Sequence, residues 1–224
     1  YIADKYNSTI FKKRVKNPIL IYDKIQLFKK LNIKKLYIKK IDLEKIYIKK
    51  KRYGSGSRGI SFHNNKTLFD KKNFFLQEYI EGIELSLETL STNANHKLLN
   101  ISLRKLKGYK SACAIYSFIP NKTVYDFFNM KINQYLDKIP VKNGLSHIEV
   151  ILTKNKKVFP IDINIRMGGG GISSKLLPKT INLDVFETDF NLLSNSKIKK
   201  KLNRKKKYGI IIYEYITNPH LKKK

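Results

Sequence analysis

Apolar and polar residues alternate with period two over much of this chain, and only a few stretches carry the 3.6-residue period of an amphipathic helix. Strands are predicted at 45–50, 60–63 and 74–80, then at 83–90, where Ile83, Leu85 and Leu87 face one way and Glu84, Ser86 and Glu88 the other. A strand pair follows at 98–106 and 111–119, joined by residues 107–110. Helical spacing is found at 4–14 and at 23–31, whose apolar positions are Ile25, Leu27, Phe28 and Leu31. It is clearest at 123–136, which stops before Pro140, and returns at 183–193. A last strand is expected at 208–216, after a lysine-rich loop at 197–207 and before a frayed Lys222-Lys223-Lys224 tail. Many strands with interspersed helices indicate an α+β protein built on antiparallel sheets, not a parallel doubly wound one.

The segment 147–166 carries the most information. Its two β-rich runs, 147–153 and 158–166, flank the four residues 154–157, the length of a hairpin loop. Pairing Thr153 with Val158 sets Glu149 opposite Asp162 and His147 opposite Asn164. Alternation then puts Asp162, Asn164 and Arg166 on one face and Ile161, Ile163 and Ile165 on the other. Pro160, which lacks an N–H, must fall at a bulge or at a position the ladder does not use.

The 224 residues suffice for one domain with a substantial core, and 42% hydrophobic content excludes a wholly disordered chain. Lys+Arg 47 against Asp+Glu 17 gives a net charge of +30. Only six of those cations are arginines, while 30 isoleucines and 20 asparagines accompany 41 lysines in every kind of segment. That joint excess points to an AT-rich coding background; the bidentate contacts that read nucleic acid favour arginine. Nucleic acid is therefore not the expected partner. The single cysteine, Cys113, forms no internal disulfide and reads as buried strand filler, and the four histidines show no zinc-ligand spacing. No apolar run is long enough to span a bilayer and the chain starts with no signal-like segment, so a cytoplasmic location is expected.

Two acids facing each other on neighbouring strands repel unless a cation lies between them. A hard divalent ion such as Mg²⁺ resolves this, with Asn164 as a third oxygen donor and Arg166 within reach of a phosphate on the same ion. The run Gly54-Ser55-Gly56-Ser57-Arg58-Gly59 fits the dinucleotide fingerprint by letter, but no helix pattern opens at Gly59, and no Gly-Lys-Ser/Thr of a Walker loop follows. It reads as a glycine loop between two strands, whose amides and serine hydroxyls can fold over phosphates. The acids around 77–84 sit at a strand-to-strand hinge able to meet an adenine edge and a ribose.

These three blocks, in this order, resemble the ATP-grasp superfamily, in particular its carboxylate–amine ligases and its carbamoyl-phosphate-synthase-like and biotin-carboxylase-like branches. Residues 48–59 resemble the family's lysine strand and glycine-rich loop, 75–84 its adenine hinge, and 147–149 with 161–171 its magnesium strands. The resemblance implies two lobes, each an antiparallel sheet with helices, clasping ATP. The lid lobe would cover about 22–80 and the magnesium-binding lobe 81–224. By the same likeness Lys50 contacts the α- and β-phosphates, with Lys5 as a second phosphate candidate, and Gly54, Ser55, Gly56 and Ser57 cover them. Glu78 accepts from the adenine amino group, the Tyr79 and Ile80 backbone meets the ring, and Glu84 holds the ribose. Glu149, Asp162 and Asn164 bind one or two Mg²⁺, Mn²⁺ being an alternative. Asp162 stands where the family more often has glutamate, and Lys51 where proline usually follows the lysine. Arg166 steadies the transferred phosphoryl group, and Arg104 contacts substrate or phosphate.

The activity so implied is ligation: a carboxylate is phosphorylated by ATP and the acyl-phosphate is captured by an amine or other nucleophile. Family members carry a preceding domain that helps bind the carboxylate, so an upstream domain or partner subunit is expected. Two alternatives remain: a nucleotide-binding scaffold without turnover, and a nonspecific nucleic-acid binder acting through its lysines.

Overall fold

In the computed structural model the described residues are 9–54, 57, 59–63, 68–107, 111–194 and 207–213. They form nine strands in two antiparallel sheets, with helices packed against them. The smaller sheet has the order β2–β1–β3, from β1 (Tyr47–Lys51), β2 (Ser61–His63) and β3 (Phe74–Glu78). The larger has the order β8–β7–β4–β5–β6–β9. Its strands are β4 (Ile83–Thr92), β5 (Asn95–Lys107), β6 (Ser111–Phe118), β7 (Gly144–Leu152), β8 (Val158–Asn164) and β9 (Gly209–Ile212).

The helices are α1 (Thr9–Arg14), α2 (Lys24–Leu31), α3 (Lys122–Leu136), α4 (Leu177–Ile181) and α5 (Val185–Ser194). Asp23 starts α2 by accepting from the amides of Ile25 and Gln26, and Asn32 ends it in the left-handed region at φ 54°. Asp23 also receives both Nε and Nη2 of Arg52, at 3.0 and 2.5 Å, which ties the start of α2 to the end of β1. Burial works against ionisation of this acid, yet Arg52 and the two helix amides outweigh it and hold its carboxyl below the usual range. Asn121 caps α3 in the same way, through the Val124 amide.

The alternation expected for β4 holds from Leu85 onward, whereas Ile83 is exposed at the cleft and does not join the core. Leu85 and Leu87 join Ile101, Ile148, Val150 and Ile163 in a core closed by Phe28 and Leu31 of α2 and by Ile132 and Leu136 of α3. A second core gathers Leu90, Leu99 and Ile115 under Ile172, Leu176, Leu177 and Val185. The helical turns 172–181 that cover it begin with a π-helical segment and were not expected from the apolar pattern. Their glycine-led start and the proline at 178 disguise the helical period.

The 147–166 hairpin departs from its expected register at one point. His147 faces Asn164 and Glu149 faces Asp162 as derived, but towards the loop Val150 faces Pro160 and Leu152, not Thr153, faces Val158. The shift is a bulge that contains Ile161 and sits beside Pro160, as the missing N–H requires. The bulge also removes Ile161 from the run of inward isoleucines: Ile163 and Ile165 are buried, whereas Ile161 is half-buried and lines the cleft described below. Cys113 is likewise half-exposed, not buried, with its thiol directed at the Lys105 carbonyl. No helix among the described residues is long and apolar enough to cross a membrane.

Candidate functional site

The polar face of the large sheet follows from strand register. Cross-strand pairing sets Asp162, Glu149, Ser86, Ser102 and Ser117 in one row, and Asn164, His147, Glu88 and Asn100 in the next. Most of these side chains are buried, and they meet charge with charge. His147 joins Glu88 at 2.5 Å through Nδ1 and Glu149 at 3.3 Å through Nε2. Burial alone would depress this imidazole, but the two carboxylates override it and hold its pKa up at about 10. Glu149 also ion-pairs with Nη1 of Arg104, whose Nε stands 2.7 Å from Glu84. Burial opposes the Glu149 charge, yet His147 and Arg104 hold its carboxyl well below the ordinary range. Glu84 moves the other way: burial pushes it up against the pull of Arg104.

Between the sheets lies a cleft of about 330 Å³, lined by Lys50 and Gln77 from the small sheet, by 78–80 at the hinge, and by Glu84, Arg104 and Glu149 from the large one. A larger hollow of about 790 Å³ opens on the other side of the small sheet against α2; apart from Glu78 it contains none of the expected site residues. Lys50 reaches across the cleft to donate to the Ile161 carbonyl at 2.7 Å, an acceptor exposed by the bulge. Its burial, aided by the nearby Lys24 charge, lowers its pKa to about 8 despite Asp162, Glu149 and Glu84. Lys24, in the first turn of α2, reaches Asp162 at 2.6 Å. Three cations (Lys24, Lys50, Arg104) thus interleave with three carboxylates (Asp162, Glu149, Glu84).

Lys50, Glu78, Tyr79, Ile80, Glu84, Arg104 and Glu149 line one cleft, and Ser57 of the glycine loop lines it too. Asp162 and Asn164 lie beside it on β8, where Asn164 donates to Asp162 at 3.0 Å. Arg166 is exposed and holds the Asn164 and Met167 oxygens. Gly54 precedes the loop with φ 149°, a backbone region that suits glycine. Lys5, Ser55 and Gly56 lie outside the described residues. At the hinge the Glu78 carboxylate is paired with Lys35 and Lys45. The Tyr79 N–H is spent on the Ile46 carbonyl at 2.8 Å. Sheet pairing and a local surplus of lysines account for both, and they leave the Glu78 carbonyl and the Ile80 amide as the hinge groups to consider. Sequence reading missed Lys24 and Gln77. The Asp23-Lys24 pair at a helix start was the available signal for the first. Gln77 is buried, and its Nε2 has no hydrogen-bond partner among the described residues.

Among the described residues no three His, Cys, Asp or Glu side chains gather as a metal-ligand set. The donors present still suit a magnesium ion. That ion ordinarily takes one or two protein carboxylates with water and phosphate completing the shell, and Glu149 and Asp162 share one face with the Asn164 amide. Gly168 closes this end: a Cβ there would stand 3.0 Å from Glu88 Oε2 and 3.1 Å from His147 Nδ1. Gly168→Ala is expected to cost about 1–3 kcal/mol by forcing this buried pair apart, measured by urea unfolding.

A profile of the ATP-grasp domain family matches residues 2–170, and the chain belongs to that family. Solved structures share its fold. The biotin carboxylase domain of Hydrogenobacter thermophilus 2-oxoglutarate carboxylase, determined with MgADP and bicarbonate, aligns over 93% of this chain and 53% of its own at 14% identity and a TM-score of 0.69. Carboxyaminoimidazole ribonucleotide synthase of Aspergillus clavatus, complexed with ATP, aligns over 88% and 57% at 10% identity and TM-score 0.67. L-Amino acid ligase from Bacillus licheniformis aligns over 85% and 52% at 16% identity and TM-score 0.60. The chain therefore spans little more than half the length of these proteins. No curated protein matches it by sequence.

Proposed function

We propose that this chain carries the nucleotide-binding core of an ATP- and Mg²⁺-dependent ligase that activates a carboxylate as its acyl-phosphate, for capture by an amine or related nucleophile. The observation that carries this reading is the meeting of Lys50, Glu84, Arg104 and Glu149, from two different sheets, in one cleft that also contains the hinge. Family membership and the nucleotide complexes of the structural neighbours support it. An unpaired buried amide costs about 1–3 kcal/mol, so the Gln77 Nε2 in the cleft wall, without a partner among the described residues, also favours a ligand with hydrogen-bonding edges.

In this reading the adenine lies along the hinge, between the Glu78 carbonyl and the Ile80 amide. Glu84 takes the ribose hydroxyls. Lys50 and Lys24 hold the phosphates, with Ser57 of the glycine run beside them. Glu149, Asp162 and Asn164 would hold magnesium, which when bound offsets charge on the β- and γ-phosphates. The carboxylate oxygen attacks the γ-phosphorus, the bond to the β-phosphate oxygen breaks, and ADP leaves. Arg166 and Arg104 screen the anionic groups that approach each other.

The test is nucleotide binding with and without Mg²⁺, then ADP release screened against small carboxylates paired with amines. Mg²⁺-dependent ATP binding with carboxylate-stimulated ADP release is expected. Tight, salt-sensitive binding to DNA or RNA without any nucleotide effect would overturn the proposal.

A further inference from the structure

We infer that Lys24 is a built-in counter-cation for Asp162, one that a triphosphate must draw off before a divalent ion can bind, so that metal enters with the nucleotide and not ahead of it. The inference rests on the nucleotide reading above and adds an order of binding to it.

The contact is specific. Lys24 Nζ lies 2.6 Å from Asp162 Oδ1, and both side chains are largely withdrawn from solvent, at 17% and 16% exposure. The lysine is held where it is by its neighbour: Asp23 caps α2 and is itself clamped by Arg52, so the first turn of the helix, and Lys24 with it, is fixed to the small sheet. Asp162 belongs to the large sheet. The pair therefore bridges α2 and the large sheet beside the cleft. A second ammonium, that of Lys50, spans it alongside, on the carbonyl of Ile161. Glu149, the facing carboxylate, is matched by Arg104 and His147.

The charges of this network already balance, which decides what can enter. A divalent ion alone would bring two uncompensated positive charges among Lys24, Lys50 and Arg104, in surroundings where water screens poorly. A triphosphate changes the sum: it offers Lys24 an anion of higher charge than Asp162, and the carboxylate that Lys24 leaves is then free for the metal. Lys24 should thus oppose metal binding on its own and favour nucleotide binding, two effects of opposite sign from one side chain. A lysine that merely braces α2 would produce neither.

Mn²⁺, which suits the same oxygen ligands and is visible by electron paramagnetic resonance, is the probe. Titrated with Mn²⁺ alone, Lys24→Met should bind the ion about tenfold or more tightly than the wild-type chain. Adding Asp162→Asn to that variant should abolish the gain. Its affinity for metal-free AMP-PNP should fall. Lys24→Arg, which keeps the charge, should bind Mn²⁺ as weakly as wild type, and Lys24→Gln serves if methionine disturbs the fold. Mn²⁺ affinity in Lys24→Met and Lys24→Gln no greater than in wild type overturns the inference. Failure of the wild-type chain to bind AMP-PNP even with Mg²⁺ would instead defeat the nucleotide reading, while the Mn²⁺ series still reports on Lys24.

Discussion

Glu149→Gln is expected to abolish Mg²⁺-dependent nucleotide turnover while leaving the fold intact. The substitution keeps the shape of the side chain and removes the charge on which Arg104 and His147 converge. In the proposed reaction that charge is also a ligand to magnesium, so its loss acts on metal and nucleotide together. A drop of about 10²–10³ or more in turnover is anticipated, the size seen when one preorganised electrostatic partner is lost. Phosphate release and MgAMP-PNP affinity are the measurements, with circular dichroism as the fold control. A variant that binds MgAMP-PNP and turns over as wild type does would remove Glu149 from the site.

The second large effect lies away from the cleft. Asp189 of α5 is 4% exposed; it receives Nη2 of Arg14 at 2.5 Å and the Leu145 amide at 2.8 Å, while Arg14 Nη1 donates to the Leu145 carbonyl. These contacts join α1, α5 and the start of β7. Gly144 permits the close approach, since a Cβ there would stand 2.7 Å from Arg14 Nη1 and 2.8 Å from Asp189 Oδ1. Asp189→Ala leaves the buried Arg14 charge with the Leu145 carbonyl but without its carboxylate, and a loss of about 3–5 kcal/mol is expected. The double variant Arg14→Leu/Asp189→Leu should recover much of that loss, because the desolvation cost of both charges disappears with them. Urea unfolding of the three proteins measures both effects; a loss in Asp189→Ala below about 1 kcal/mol would mean that the pair behaves as a surface salt bridge.

Much of the architecture was legible because period-two alternation is a local property. Leu85 and Leu87 against Ser86 and Glu88 fix which face of β4 is core, and the opposition of Glu149 and Asp162 follows from one hairpin. What escaped depends on distance in sequence. Lys24 and Asp162 are 138 positions apart, and a lysine after a helix cap reads as solvated in a chain that has 41 of them. The ion pairs of Glu78 escaped for the same reason: nothing near it in sequence announces Lys35 and Lys45. The bulge was legible only in part, since Pro160 demanded an irregularity but did not say which residue would be added.

That added residue has a consequence for how this hairpin tolerates change. With Ile161 added opposite the step from Glu149 to Val150, the strand ends near residues 154–157 keep a count of their own, separate from that of the Glu149–Asp162 and His147–Asn164 pairs. The bulge acts as an expansion joint: lengthening or trimming the tip is accommodated on the tip's side, and the acids on the far side keep their alignment. The loop is accordingly a place where a graft, a tag or a natural insertion leaves the Glu149–Asp162 pairing undisturbed.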